Sequence, residues 1–271
     1  MKKGTKIFLT VLGFFLAIAF LTPILILVIN SFKGQKEIMT NILGLPQSLN
    51  FNNYVQALDK LDFVTTVVNS LLITVISSVL LVFLSSACAW QLVRTKTRLS
   101  GILYLVFASA MLIPFQCVML PLVRWMSTLG LMSRPGLIFM YIGFGGSMSM
   151  ILFHGFIKNI PLELEEAAAL DGAGPVKTFF LVVFPLLKNS AVTVSILNVM
   201  WIWNDFLLPS LIINKSGSQT LPLKTYLFFG QYSRRWDLAT AALVITIIPI
   251  IIFYLACQKQ IMNGVTEGAV K

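Results

Sequence analysis

Charge is scarce in this sequence. Only 11% of its 271 residues are Asp, Glu, Lys or Arg, while 57% are hydrophobic. A soluble domain of this length would need far more charge to cover its surface, so the composition calls for an integral membrane protein. Acid is scarcest: 10 Asp and Glu stand against 20 Lys and Arg, a net charge of +10. A nucleic-acid-binding protein would gather those bases on one soluble face. Here they fall in short groups between apolar runs, as bases flanking membrane spans do. Histidine occurs once, and the three cysteines, Cys88, Cys117 and Cys257, lie inside apolar stretches without metal-ligand spacing. They read as small buried hydrophobes, and His154 as a polar residue at the membrane interface. There is no G-x-x-x-x-G-K-[ST] phosphate loop, so the chain should not bind ATP in the usual way. No Ser-His-Asp or paired-carboxylate constellation can be assembled. No catalytic residue, metal site or cofactor is expected in this chain, and energy must come from a partner or an ion gradient.

What is abundant is long apolar runs. About 20 apolar residues cross the hydrocarbon core as a helix, and six stretches qualify, at about 7–29, 64–93, 102–123, 137–156, 191–213 and 238–257. The expected fold is therefore an all-α membrane protein, one membrane domain over 1–271 with six transmembrane helices and both ends on one side. The first run follows Lys2, Lys3 and Lys6 and offers a small-x-small site at Ala17-Ile18-Ala19. It continues well past that point, so an uncleaved first helix is expected. Pro114 and Pro121 should kink the third span, while Gly143, Gly145 and Gly146 allow close helix approach in the fourth. With the amino terminus inside, inner segments hold eleven Lys and Arg and outer segments nine. The bias is small, but it is densest in the short segments beside the first two spans, where the rule weighs most.

Between spans four and five lies a polar interruption, Pro161 to Pro185. Pro161 opens a short helix, and Glu163, Glu165 and Glu166 in its first turns complement the positive end of the helix dipole. Ala167, Ala168, Ala169 and Leu170 continue it. Asp171-Gly172 stops it, because glycine tolerates the left-handed turn that ends helices. Gly174-Pro175 then starts a second helix. A helix-turn-helix elbow at the surface results, which on these grounds alone is equally an ordinary capped loop helix.

Polar groups inside spans are costly and face a cavity or a partner. Span five carries Asn198 and then Trp203, Asn204 and Asp205. These four are a candidate translocation path for a hydroxylated solute, through hydrogen bonds and ring stacking. The reading preferred over solute contact is that Asn204 and Asp205 lock span five to a neighbour or satisfy a kinked backbone. At the end of the chain, Gly264 and Gly268 should break any helix, leaving a frayed terminus.

The elbow resembles a known signature. Glu166-Ala167-Ala168, three residues, Gly172, nine residues, then Val182-x-Phe184-Pro185 is similar to the E-A-A-x3-G-x9-I-x-L-P motif of the membrane subunits of binding-protein-dependent ABC importers. Val for Ile and Phe for Leu are the two departures. The resemblance implies that the elbow is a cytoplasmic coupling helix, with Glu165, Glu166, Ala167, Ala168, Asp171, Gly172 and Pro185 as the ATPase-coupling residues. The tail looks like the G-L-T-x-G-A-V-K ending of the maltose-type sugar permeases, with Val265 for Leu. That likeness implies contact of Gly264, Thr266, Gly268 and Lys271 with the ATPase. Asn69-Ser70, Arg94, Pro114, Leu129-Gly130-Leu131, Trp203-Asn204-Asp205-Phe206 and Thr220-Leu221-Pro222 extend the likeness over nearly the whole chain. Asn189 departs from it, standing where a proline is common.

The implied function is a permease subunit of a carbohydrate importer in the bacterial cytoplasmic membrane, with both termini cytoplasmic. Its implied partners are a second homologous permease, an ATPase dimer that holds the ATP and Mg, an extracellular sugar-binding protein and the lipid bilayer, with no nucleic acid. An importer of a non-sugar solute is the near alternative. An ion-driven secondary transporter would want several ionisable groups near the midplane, and Asp205 stands nearly alone.

Overall fold

The computed structural model describes residues 3–229 and 235–269, and every regular element among them is helical. In chain order these are α1 (Lys3–Ser31), α2 (Gln35–Thr40), α3 (Asn52–Leu61), α4 (Phe63–Arg94), α5 (Arg98–Ala110), α6 (Phe115–Thr128), α7 (Arg134–Ile157) and α8 (Glu163–Leu170). There follow α9 (Pro175–Thr178), a π-helical turn (Phe179–Val183), α10 (Phe184–Leu186), α11 (Lys188–Asn204), α12 (Leu207–Ile212), α13 (Leu221–Tyr226), a 3-10 turn (Leu227–Phe229) and α14 (Trp236–Ala269). Four stretches, Gly4–Ser31, Phe63–Arg94, Arg134–Ile157 and Trp236–Gln260, are long and apolar enough to cross a membrane. Two bent pairs also qualify, α5 with α6 at 101° and Pro175–Leu186 with α11 at 78°. The chain thus has four to six candidate spans and is a multi-pass membrane protein.

The bends have local causes. Proline disfavours helical geometry in the residue before it. The helix therefore stops ahead of Pro114, which sits extended at φ −62°, ψ 136° and leads into α6. The expected kink is thus a full break, and Pro121 is accommodated within α6. Pro185 has no N–H to donate, and the turn before it widens, with the Phe184 N–H reaching back to Phe179 O. The fifth run is likewise discontinuous. α11 ends at Asn204, Asp205 is extended at ψ 130°, and α12 comes next. The tail departs from expectation too, since α14 runs through Gly264 and Gly268 to Ala269. A glycine costs a helix only about 1 kcal/mol relative to alanine, which a helix already long can absorb.

The chain divides into two compact units. The first comprises residues 1–65 and 224–251. Within it, residues 4–25 of α1 are exposed along their whole length. Order begins at the helix's end, where Asn30, Ser31 and Lys33 are buried. Lys33 Nζ donates to Asn41 O at 2.8 Å and Ile42 O at 3.3 Å. Asn30 Nδ2 donates to Ile26 O at 2.8 Å and Ile42 O at 2.9 Å. Asn53 Nδ2, from α3, donates to Ser31 O and Lys33 O, both at 2.9 Å. Three side chains thereby satisfy carbonyls that the end of α1 and the following loop leave unpaired.

The second unit comprises residues 66–223 and 252–271. Its side of α4 buries a face rich in small polar residues, among them Asn69, Ser70, Thr74, Ser77, Ser78, Ser85 and Ser86. Small residues let backbones approach closely in lipid. α7 shows the same economy of space: a Cβ on Gly145 would lie 2.9 Å from Leu81 Cδ1 and 3.1 Å from Trp201 Cζ3. One apolar cluster joins Ile73 and Leu81 to Met140, Tyr141, Ile202 and Leu208. Another joins Val82 and Ala89 to Phe153, Phe179, Val183, Leu187 and Val194, so the π turn and the first half of α11 are packed into the core.

Candidate functional site

The elbow is built as the residues dictate. α8 begins with Glu163, Glu165 and Glu166 in its first turn. It ends in a Schellman arrangement, with Ala173 N–H donating to Ala168 O at 2.9 Å and Gly172 N–H to Ala169 O at 3.0 Å. Gly172 has φ +81° and nothing within 4 Å of a would-be Cβ. Backbone conformation, rather than space, is what requires glycine there.

The three acids of the first turn do not share a role. Glu163 and Glu166 are exposed, as are Ala167 and Asp171, with Ala168 half-buried. Glu165 turns inward and is only 8% exposed. Arg94, the last residue of α4, donates Nε to Glu165 Oε1 at 2.8 Å, and its Nη2 lies 2.7 Å from the same oxygen. Trp90 Nε1 donates to Oε2 at 2.9 Å, so both carboxylate oxygens are engaged. Arg94 Nη2 also donates to Ile160 O at 3.0 Å, just before the elbow. Sequence reasoning groups Glu165 with the outward-facing acids and places Arg94 only among the residues of the resemblance. The missing signal is spacing across 71 residues, which no local pattern carries.

The outer face of the elbow joins charge to grease. Leu170 is 90% exposed and Val176 70%, together with exposed Leu162 and Leu164 and the exposed carboxylates of Glu163, Glu166 and Asp171. Exposed apolar residues rimmed by charge mark an interaction surface. Pro185 is exposed on α10, behind Phe184, whose ring stacks on Phe83 at 4.8 Å.

The four residues of the candidate path separate. Asn198 is buried on α11 and donates Nδ2 to Ser149 Oγ on α7 at 2.9 Å. Both line a pocket of about 300 Å³ with Gly145, Met148, Leu197 and Trp201. Asp205 works elsewhere: Tyr141 Oη donates to its Oδ2 at 2.9 Å, and its Oδ1 accepts from Leu207 N–H at 3.0 Å. Asn204 is exposed and bonded to Met200 O at 2.7 Å. Trp203 is buried, and its Nε1 has no acceptor among the described residues. Trp201, absent from the residues expected on the path, lines the pocket instead. On α14, Gly264, Thr266 and Gly268 lie in helical backbone, and Lys271 is outside the described residues.

Among the described residues no group of His, Cys, Asp or Glu could hold a metal. His154 is buried with its ring stacked on Tyr104 at 4.3 Å, and the three cysteines are free.

Over 266 residues the chain is 44% identical to the probable starch degradation products transport system permease protein of Thermoanaerobacterium thermosulfurigenes, covering 98% of this chain and 97% of that one. It is 38% identical over 283 residues to the multiple sugar-binding transport system permease protein of Streptococcus mutans, covering 100% of both. Among solved structures it is similar, at TM-score 0.78 and 26% identity, to a chain of a bacterial ABC transporter involved in the import of the acidic polysaccharide alginate, covering 96% of this chain and 98% of that one. Residues 81–266 match the family described as the binding-protein-dependent transport system inner membrane component, and the chain belongs to that family.

Proposed function

We propose that this chain is one of two permease subunits of an ATP-binding-cassette importer for a carbohydrate. It lies in the cytoplasmic membrane as six spans of one permease domain, both bent pairs counting as spans, with both termini in the cytoplasm. It forms half of the translocation pathway. A second, homologous permease supplies the other half, two ATPase subunits hold the ATP and Mg, and an extracellular binding protein delivers the sugar.

The observation that carries the coupling role is the outer face of α8. Three exposed carboxylates and exposed Leu164, Leu170 and Val176 project from a segment whose inner side is fixed by Glu165. Such a face suits a groove on another protein, and in this family that protein is the ATPase. ATP binding there shifts the spans between inward- and outward-open states, because a ligand moves an equilibrium only through unequal affinity for its two ends. The tail from Gly264 to Lys271 adds a second contact with the ATPase.

Carbohydrate is favoured by the names of the relatives and by the pocket beside Asn198. An amide, a hydroxyl and an indole face in a space of about 300 Å³ suit a sugar ring, since pockets pair apolar walls with a few placed polar groups. The test is a cysteine placed at Glu166 in the assembled transporter. Cross-linking to the ATPase is expected, and a cross-link to nothing on the cytoplasmic side would overturn the assignment. Uptake of a panel of labelled oligosaccharides, with an amino acid and phosphate as controls, tests the substrate class.

A further inference from the structure

We propose that Glu165 is the positioning residue through which the elbow moves α4, acting by way of Arg94 and Trp90. The inference rests on the elbow being the surface gripped by an ATPase. It goes further by separating the residues that are gripped from the one that transmits.

The geometry divides α8 cleanly. Every other carboxylate of the elbow is exposed, and Glu165 alone is buried. Its two oxygens accept one N–H each, from Arg94 Nε and Trp90 Nε1, and Arg94 Nη2 lies 2.7 Å from Oε1, all from the last turn and a half of α4. The guanidinium of Arg94 continues to Ile160 O, so one side chain grips both the residue before the elbow and the helix inside it. The Trp90 indole also rests against Phe179 at 5.5 Å, the first residue of the π turn on the elbow's far side. Both arms of the elbow are therefore tied to a single helix end. A charged pair held by several directed hydrogen bonds resists shear better than apolar contacts do, because its geometry is specific.

α4 is suited to carry what it receives. Its buried face runs unbroken from Thr66 to Ala89. It places Leu81 against Gly145, which lines the pocket together with Trp201 and Asn198. A displacement of the Arg94 end thus has a rigid body to act on and a pocket wall to move. Coupling asserted between distant sites needs a demonstrated bias on both, and the test supplies it.

The experiment uses the full transporter with its binding protein, reconstituted in vesicles. The chain carries Trp201→Cys with its native cysteines replaced, and Glu165→Gln, Glu165→Ala or the exchange Glu165→Arg with Arg94→Glu. Two quantities are read: the amount of ATPase that co-purifies, and the change in maleimide labelling at position 201 when ATP and vanadate are added. The expected result is ATPase recovery within twofold of the parent, with the ATP-dependent change in labelling reduced at least tenfold in both single variants. The exchange variant should recover at least half of it. A labelling change equal to the parent's in Glu165→Ala overturns the proposal. So does loss of the ATPase in Glu165→Gln, which would place Glu165 in docking. Failure of the underlying reading looks different: the parent itself would show no ATPase cross-linked at Glu166→Cys.

Discussion

Tyr141 and Asp205 meet across the break between α11 and α12, the phenol donating to one carboxylate oxygen while the other takes the Leu207 N–H. The carboxylate spans a gap in the helix and fixes it to α7. Its partners are internal, which makes Asp205 a joint. Tyr141→Phe should leave a buried acceptor short of one donor and lower stability by about 1–3 kcal/mol. Thermal unfolding of the purified transporter reads this. Asp205→Asn should change uptake only modestly, and complete loss of uptake with normal assembly would make Asp205 a transport residue instead.

Gly172→Ala should strain the end of α8. At φ +81° a side chain costs about 1–2 kcal/mol, with no steric clash to add to it. Insertion into the membrane should be unchanged and recovery of the ATPase reduced several-fold. Equal recovery would mean that the turn does not set the elbow's docking geometry.

Lys33→Met should loosen the end of α1. The ammonium is fully buried and donates to two carbonyls, and the Asn41 carbonyl would lose that donor. A cost of about 1–3 kcal/mol is expected for a buried group left unsatisfied. Limited proteolysis in the stretch from Gln35 to Asn52 should accelerate accordingly, and an unaltered cleavage rate would show that water replaces the amine without penalty.

Trp201→Ala and Asn198→Ala should each weaken uptake through a raised KM for the sugar, by about tenfold for a loss near 1.4 kcal/mol. An unchanged KM in both would remove this pocket from the pathway. Truncation after Asn263 should leave insertion intact and lower the ATPase stimulation that accompanies transport.

The elbow is legible in the sequence because its signals are local. Three early acids, an alanine run, a stop glycine and a proline all lie within about 25 residues of one another, and each has a backbone reason. The broken spans are half legible. Pro114 announces a disturbance, but a proline inside a membrane helix can kink it, break it or pass unnoticed, as Pro121 does, and local sequence does not choose among these. Pro209 likewise denies the Asp205 carbonyl its i→i−4 partner and so announces a disturbance beside Asp205, again without choosing between a kink and a break. The role of Glu165 is hidden for a different reason: its partners lie 71 and 75 residues earlier, and three acids in one turn look alike until one of them is buried. Trp201 is overshadowed by the polar Trp203-Asn204-Asp205 run, although helical phase sets Asn198 and Trp201 on one face.

The bare flank of α1 has a consequence for how this polypeptide is made and how it drifts. From Gly4 to Leu25 its side chains stand open to their surroundings, so greasiness and length, and no particular fit, are what the chain itself demands of them. Mutations there should accumulate freely among greasy residues unless a neighbouring molecule objects. A map of tolerated changes along this helix would therefore outline the footprint of whatever stands beside it.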